Sequence, residues 1–190
     1  MKNKKWLIIG IIALVVIILI SSVAGSYNSF VTAQTNVETA QANIQTQLQR
    51  RADLIPNFVS TVKGYADYEQ KTFTAVTEAR ASVGKANDAA SLNEAQQRLD
   101  GAISLWVNAV TEAYPDLKAN SNFIALQDEL AGTENRIAVA RKDYNETAQK
   151  YNTLVRKFPK NILAGIFGFD KVDYFEADDG ASSVPNVSFE

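Results

Sequence analysis

One run near the start of the chain constrains the fold more than any other feature. Trp6, Leu7, Ile8, Ile9, Gly10, Ile11, Ile12, Ala13, Leu14, Val15, Val16, Ile17, Ile18, Leu19, Ile20, Ser21, Ser22 and Val23 follow one another with no charged side chain among them. As a helix rising about 1.5 Å per residue, the run reaches roughly 27 Å, close to the roughly 30 Å hydrocarbon core of a bilayer. Lys2, Lys4 and Lys5 precede it, and no charge follows until Glu38. That asymmetry predicts a cytoplasmic N-terminus, one membrane-spanning helix and an extracytoplasmic remainder. A cleaved signal peptide is the competing reading, since Ser22-Val23-Ala24 resembles a small-x-small cleavage site. Length and Ile/Val content favour a retained anchor.

Absences narrow the chemistry. The chain has no histidine and no cysteine. Ser-His-Asp and Cys-His triads, HExxH zinc sites, Glu-x-x-His di-iron sites, disulfides and lipidated cysteines are therefore excluded. No GxxxxGK[ST] loop or GxGxxG turn offers a seat for a nucleotide. Of 19 basic residues three precede the apolar run, leaving 16 against 21 acidic ones, a charge of −5 beyond it. A surface of that sign is unsuited to a phosphate backbone, so nucleic acid is not an expected partner. The composition points to no enzyme and no cofactor.

Beyond the span the apolar period is helical. Phe30, Ala33, Val37, Ala40, Ile44 and Leu48 form one stripe, continuous with the span because Gly25 alone does not break a helix. A single rod from about residue 5 to 52 is expected. Asp53 and Pro56 mark a new start, with Asp53 a cap candidate. A second helix carries Phe58, Val62, Tyr65, Glu69, Phe73, Val76 and Val83 to Gly84, and residues 85–91 read as a polar loop. A third, with Leu92, Ala95, Leu99, Ala102, Trp106, Ala109 and Ala113, stops at Tyr114 ahead of Pro115. The fourth runs from Ser121 to Pro159. The expected fold class is all-α: a transmembrane helix continuing into an antiparallel up-down four-helix bundle, with alanines at many seam positions.

The division is thus a cytoplasmic segment at 1–5, a span at 6–25, the bundle at 26–160, an apolar, aromatic segment at 161–176 and a flexible acidic tail at 177–190. In this topology the first helix leaves the membrane and the fourth returns. Phe158 and residues 161–169, flanked by Lys157, Lys160 and Lys171, then either lie in the membrane interface or cap the bundle's open end.

The chain resembles the LemA family of bacterial membrane-anchored proteins. The resemblance is carried by Arg50-Arg51-Ala52-Asp53-Leu54-Ile55-Pro56-Asn57, Val62-Lys63-Gly64-Tyr65-Ala66 and Glu112-Ala113-Tyr114-Pro115-Asp116-Leu117-Lys118-Ala119-Asn120. It continues through Thr133-Glu134-Asn135-Arg136-Ile137-Ala138, Tyr144-Asn145, Tyr151-Asn152, Phe158-Pro159 and Phe167-Gly168-Phe169. It implies a membrane helix followed by an antiparallel helical bundle, and no known reaction. It also implies association with a membrane metalloprotease or with TPM-domain proteins of the cell envelope. Some descriptions of the family place the short N-terminus outside; the lysines here argue the reverse. Two departures stand out: Tyr68 occupies a position often histidine in the family, and Gln41 one often tryptophan.

Ten polar residues are candidate structural or interaction sites: Arg50, Arg51, Asp53, Glu69, Arg80, Glu112, Glu134, Arg141, Tyr144 and Tyr151. The charged ones read as opposite pairs fixing helix register, in preference to an ion-binding or catalytic centre. Tyr144 and Tyr151, seven apart, fall on one helix face and read as core layers with satisfied hydroxyls, the alternative being a ligand groove. The turn at residues 116–120 is a further candidate for partner binding. The function expected is a membrane-anchored scaffold or adaptor for other membrane or envelope proteins. A self-associating, coiled-coil-like structural protein and a carboxylate-dependent enzyme are the competing readings.

Overall fold

Nothing between the apolar run and Asp53 interrupts a helix, and α1 accordingly extends over Lys2–Asp53 in a computed structural model that describes residues 2–63 and 70–176. It is followed by α2 (Ile55–Lys63), α3 (Gln70–Val83), α4 (Ala89–Ala113), a 3₁₀ turn (Pro115–Ala119), α5 (Ser121–Arg156) and α6 (Lys160–Phe167). The protein is all-α, with an N-terminal apolar helix and a packed helical core. It is not strictly four helices. The expected second helix is described in two pieces, α2 and α3, and residues 64–69 lie outside the described residues, as does the tail at 177–190.

Each boundary has a local cause. Pro56 sits in the first turn of α2, where its missing N–H costs nothing. The Asp53 carboxylate accepts from Gln49 Nε2 (3.0 Å) and Arg80 Nη2 (3.3 Å). The loop expected at 85–91 is shorter, because Asp88 caps α4: its Oδ1 accepts from the Ser91 N–H (2.7 Å), and Ser91 Oγ accepts from the Asp88 N–H (3.1 Å). The bond from the Ser91 backbone, then that from its hydroxyl, holds the Asp88 carboxyl below the usual carboxylate range. Gly168 closes α6 in the left-handed region (φ 74°), and the Phe169 N–H donates to Ala164 O (2.9 Å). The segment 161–169, expected only as an apolar stretch, is thus largely helical.

The described residues divide into two compact units, those within 1–39 and 146–172 and those within 40–145 and 173–190. In the first, Phe30, Val37, Ala148, Tyr151, Val155 and Ala164 are buried. The side chains of the apolar run face outward: its eighteen most apolar residues have a mean hydropathy of 3.2 and none is buried. By length and composition α1 can cross a membrane.

In the second unit, Phe58 meets Trp106 edge-on with ring centroids 5.9 Å apart, and Phe123 at 5.6 Å. Leu92, Leu99, Ile103, Trp106 and Val110 form the buried stripe of α4. This corrects the seam expected through Ala102, Ala109 and Ala113: the register places Ile103 and Val110 inward, Ala113 is exposed, and the other two are half-buried. Larger side chains win the inward positions because they remove more apolar surface from water.

Candidate functional site: a buried arginine held by two carboxylates

Phe30, Val37 and Ile44 recur at intervals of seven on α1, and all three are buried. The next position in that series is Arg51, in the last turn of the helix. A guanidinium at a core position must be paired, because the desolvation of an isolated charge is prohibitive. Arg51 is 5% exposed. Its Nη1 donates to Glu134 Oε2 (2.5 Å) on α5, and its Nη2 lies 3.0 Å from Asp100 Oδ1 on α4. One arginine therefore ties three helices of the second unit. The α1 C-terminus adds partial negative charge of the sign that favours a cation.

A hollow of about 420 Å³ lies beside this group, its polar lining supplied by Arg51, Ser104, Asn108, Gln127, Glu134 and Asn135. Glu134 is half-exposed, so one face of the triad meets the hollow. Such a lining can exchange hydrogen bonds with a polar ligand or peptide. Both carboxylates are already committed to the guanidinium, and no cysteine or histidine exists to act as nucleophile or base. Among the described residues no group of three or more acidic side chains is placed to hold a metal ion.

The other candidates fall into separate groups. Arg50 Nη2 (3.1 Å) and Arg136 Nη2 (2.7 Å) both donate to Glu129 Oε1. Arg80 reaches Asp53 across the exposed surface. Arg141 donates to Gln96 Oε1 (3.4 Å) and to the Glu176 carbonyl, and its guanidinium lies 5.8 Å from the Phe175 ring centre. Glu112 is exposed on α4, outside these pairs. Glu69 lies outside the described residues.

Sequence reasoning overlooked Asp100, Glu129, Arg136 and Gln96. It also assigned no role to the two asparagines that follow the tyrosines. In the second unit Asn145 grips one residue of the extended C-terminal segment by both backbone groups: Nδ2 donates to Phe175 O and Oδ1 accepts from the Phe175 N–H, each at 2.9 Å. Tyr144 adds a hydroxyl bond to Asp173 O (3.0 Å) and an edge contact to the Phe175 ring. In the first unit Asn152 grips Val172 in the same way, at 2.8 and 2.9 Å. A carboxamide is the side chain that can donate and accept side by side, so it substitutes for a neighbouring strand.

Removing either asparagine strips two hydrogen bonds worth about 1 kcal/mol each. Asn145→Ala and Asn152→Ala are expected to loosen the clasped segment, by about 2 kcal/mol, with little change in α4. Amide exchange at residues 172–175 provides the check; unchanged protection there would contradict the clasp.

Burial pushes the Tyr144 hydroxyl above its ordinary value of 10.0, with Asp173 adding to the shift. Burial also raises Tyr151, followed by Asp170 and Glu38. A raised folded pKa means that the folded state favours the neutral phenol. The associated stability is therefore complete below pH 10 and is lost as pH rises through the shifted values. Tyr144→Phe and Tyr151→Phe are each expected to flatten the alkaline fall in melting temperature; an unaltered alkaline limb in both variants would count against the coupling.

A packed all-α core, a helix able to cross a bilayer, and polar residues engaged in joining helices define a membrane-associated helical protein. Residues 40–189 match the LemA family, and the chain belongs to it. It is 27% identical over 186 residues to magnetosome protein MamQ 2 of Paramagnetospirillum magneticum, covering 85% of this chain and 68% of that protein. Magnetosome protein MamQ of Magnetospirillum gryphiswaldense is 25% identical over 199 residues, 92% of this chain and 73% of the relative. Protein LemA of Metamycoplasma hominis is 26% identical over 156 residues, with coverages of 82% and 71%.

Proposed function

We propose that the protein is a non-enzymatic, membrane-anchored scaffold or adaptor that docks other membrane or envelope proteins. The observation that carries this reading is the use of Arg51, Asp100 and Glu134. A reactive centre leaves a base or nucleophile free to meet substrate, whereas these groups hold one another and three helices. Exposed apolar side chains on α4 and α5, Leu105 and Val139, offer contact surface of the kind interfaces use. In this reading residues 6–25 span the membrane, the N-terminus is cytoplasmic, and residues 26–160 form an extracytoplasmic up-down bundle whose second helix contains α2 and α3. A role in envelope maintenance or membrane-protein quality control suits such an architecture.

Photo-crosslinkers placed at Leu105 and Val139 in native membranes test the proposal. Reproducible capture of one defined membrane protein, reduced by a charge substitution at the same position, is the expected result. Capture of further copies of this chain alone would replace the adaptor by a self-associating structural protein. Turnover abolished by Glu134→Gln or Glu69→Gln in a folded protein would overturn both.

A further inference from the structure

We propose that α6 is a second membrane-contacting element, lying along the bilayer interface beside the span with Phe158, Ile162 and Ile166 toward the lipid. The inference rests on α1 crossing the membrane, as read above.

Its basis is the depth at which α6 is fixed within the first unit. Trp6 and Tyr27 stand 21 residues apart on one uninterrupted helix, a rise of about 32 Å, which matches the roughly 30 Å hydrocarbon thickness. Both are exposed rings of the type that settles at headgroup level, so Tyr27 marks the outer interface. The Phe167 ring meets Tyr27 edge-on at 5.1 Å, and Phe169 meets Tyr27 at 5.7 Å and Phe30 at 5.1 Å. Phe167 also lines an open hollow of about 530 Å³ together with Leu19, Ile20, Val23 and Ala24, residues of the span's outer end. The C-terminal end of α6 is thus pinned at the level where the hydrocarbon ends.

The exposed surface of α6 fits that position. Ile162 and Ile166 are one helical turn apart and are 54% and 69% exposed, and Phe158, just before the helix, is 76% exposed. Leaving three large apolar side chains in water on and just before so short a helix is costly, because the cost of hydration scales with the apolar area left exposed. Lys157 and Lys171 are exposed around them, and Lys160 Nζ lies 3.4 Å from Ser29 Oγ. Cations flanking an apolar face suit an anionic headgroup layer. A water-facing cap would show the opposite distribution, polar outward.

The absence of native cysteine allows single spin labels in the full-length chain. Ile162→Cys, Ile166→Cys, a span reference Val15→Cys and a solvent reference Leu105→Cys would be labelled in vesicles of phosphatidylcholine and phosphatidylglycerol. Accessibility to oxygen and to a water-soluble nickel chelate is then measured. At 162 and 166 nickel access several-fold below that at 105, with oxygen access approaching that at 15, is expected. Nickel access equal to that at 105 would overturn the proposal, and so would low access to both reagents, which would mean protein covers the face. If the label at 15 is itself water-accessible, the anchor reading fails first, and this proposal with it.

Discussion

Asp100→Asn combined with Glu134→Gln is expected to destabilise the protein by about 3–5 kcal/mol, because it leaves the Arg51 guanidinium buried without a counter-charge. For a chain of this length that corresponds to a fall of roughly 10 °C in melting temperature. The converse substitution should be milder. Arg51→Met removes the charge while keeping an unbranched side chain of similar reach. The carboxylates it abandons are not buried to the same degree: the Asp100 side chain is 26% exposed and that of Glu134 51%. Water can therefore solvate what Arg51 releases, but cannot readily reach Arg51 itself. Denaturation of the detergent-solubilised full chain measures both variants. A double carboxylate variant no less stable than Arg51→Met would show that the guanidinium has another source of solvation. Exposure also ranks the pairs. Arg80–Asp53 and Arg98–Glu94 lie in solvent and contribute little.

The same arginine shows how far the sequence could be read. Helical periodicity identified the all-α class, the length of α1, the stop at Tyr114 and the extent of α5 to within a few residues. Each depends on near neighbours in the chain, and proline, glycine and apolar spacing are visible there. The seven-residue series Phe30, Val37, Ile44 was also visible, and its extension onto Arg51 marks the arginine as a core residue. Its partners were only half legible. Glu134 stood in a recognised family block, whereas Asp100 is one acidic residue among 21, and only the packing of α4 selects it. The asparagine clasps were hidden for a similar reason. Asn145 and Asn152 repeat at seven, but their partners are backbone groups of an extended segment, and backbone groups carry no sequence signature. The alanine seam on α4 held at Ala95 but not at Ala102, Ala109 or Ala113, because alanine suits both a close helix contact and a solvent face; burial at Ile103 and Val110 decides between them.

Phe58→Ala should be as damaging as the loss of both carboxylates, about 3–5 kcal/mol, for an entirely apolar reason. Phe58 is fully enclosed, and its ring is held edge-on between Trp106 of α4 and Phe123 of α5. Truncation removes the transfer energy of the ring and leaves a cavity that two rigid aromatic neighbours fill poorly. The edge contacts add about 0.5–1.5 kcal/mol each beyond area. Phe58→Leu separates these contributions: it retains most of the apolar volume and should cost about half as much, the remainder reporting the cavity and the ring contacts. If alanine and leucine prove equally mild, below about 1 kcal/mol, then α2 does not contribute to the core as its burial implies. If leucine is as harmful as alanine, ring geometry outweighs volume at this junction. Either result also bears on docking. In the adaptor reading proposed above, a rigid aromatic junction that keeps α4 and α5 fixed would lower the ordering cost of docking at the exposed Leu105 and Val139 side chains.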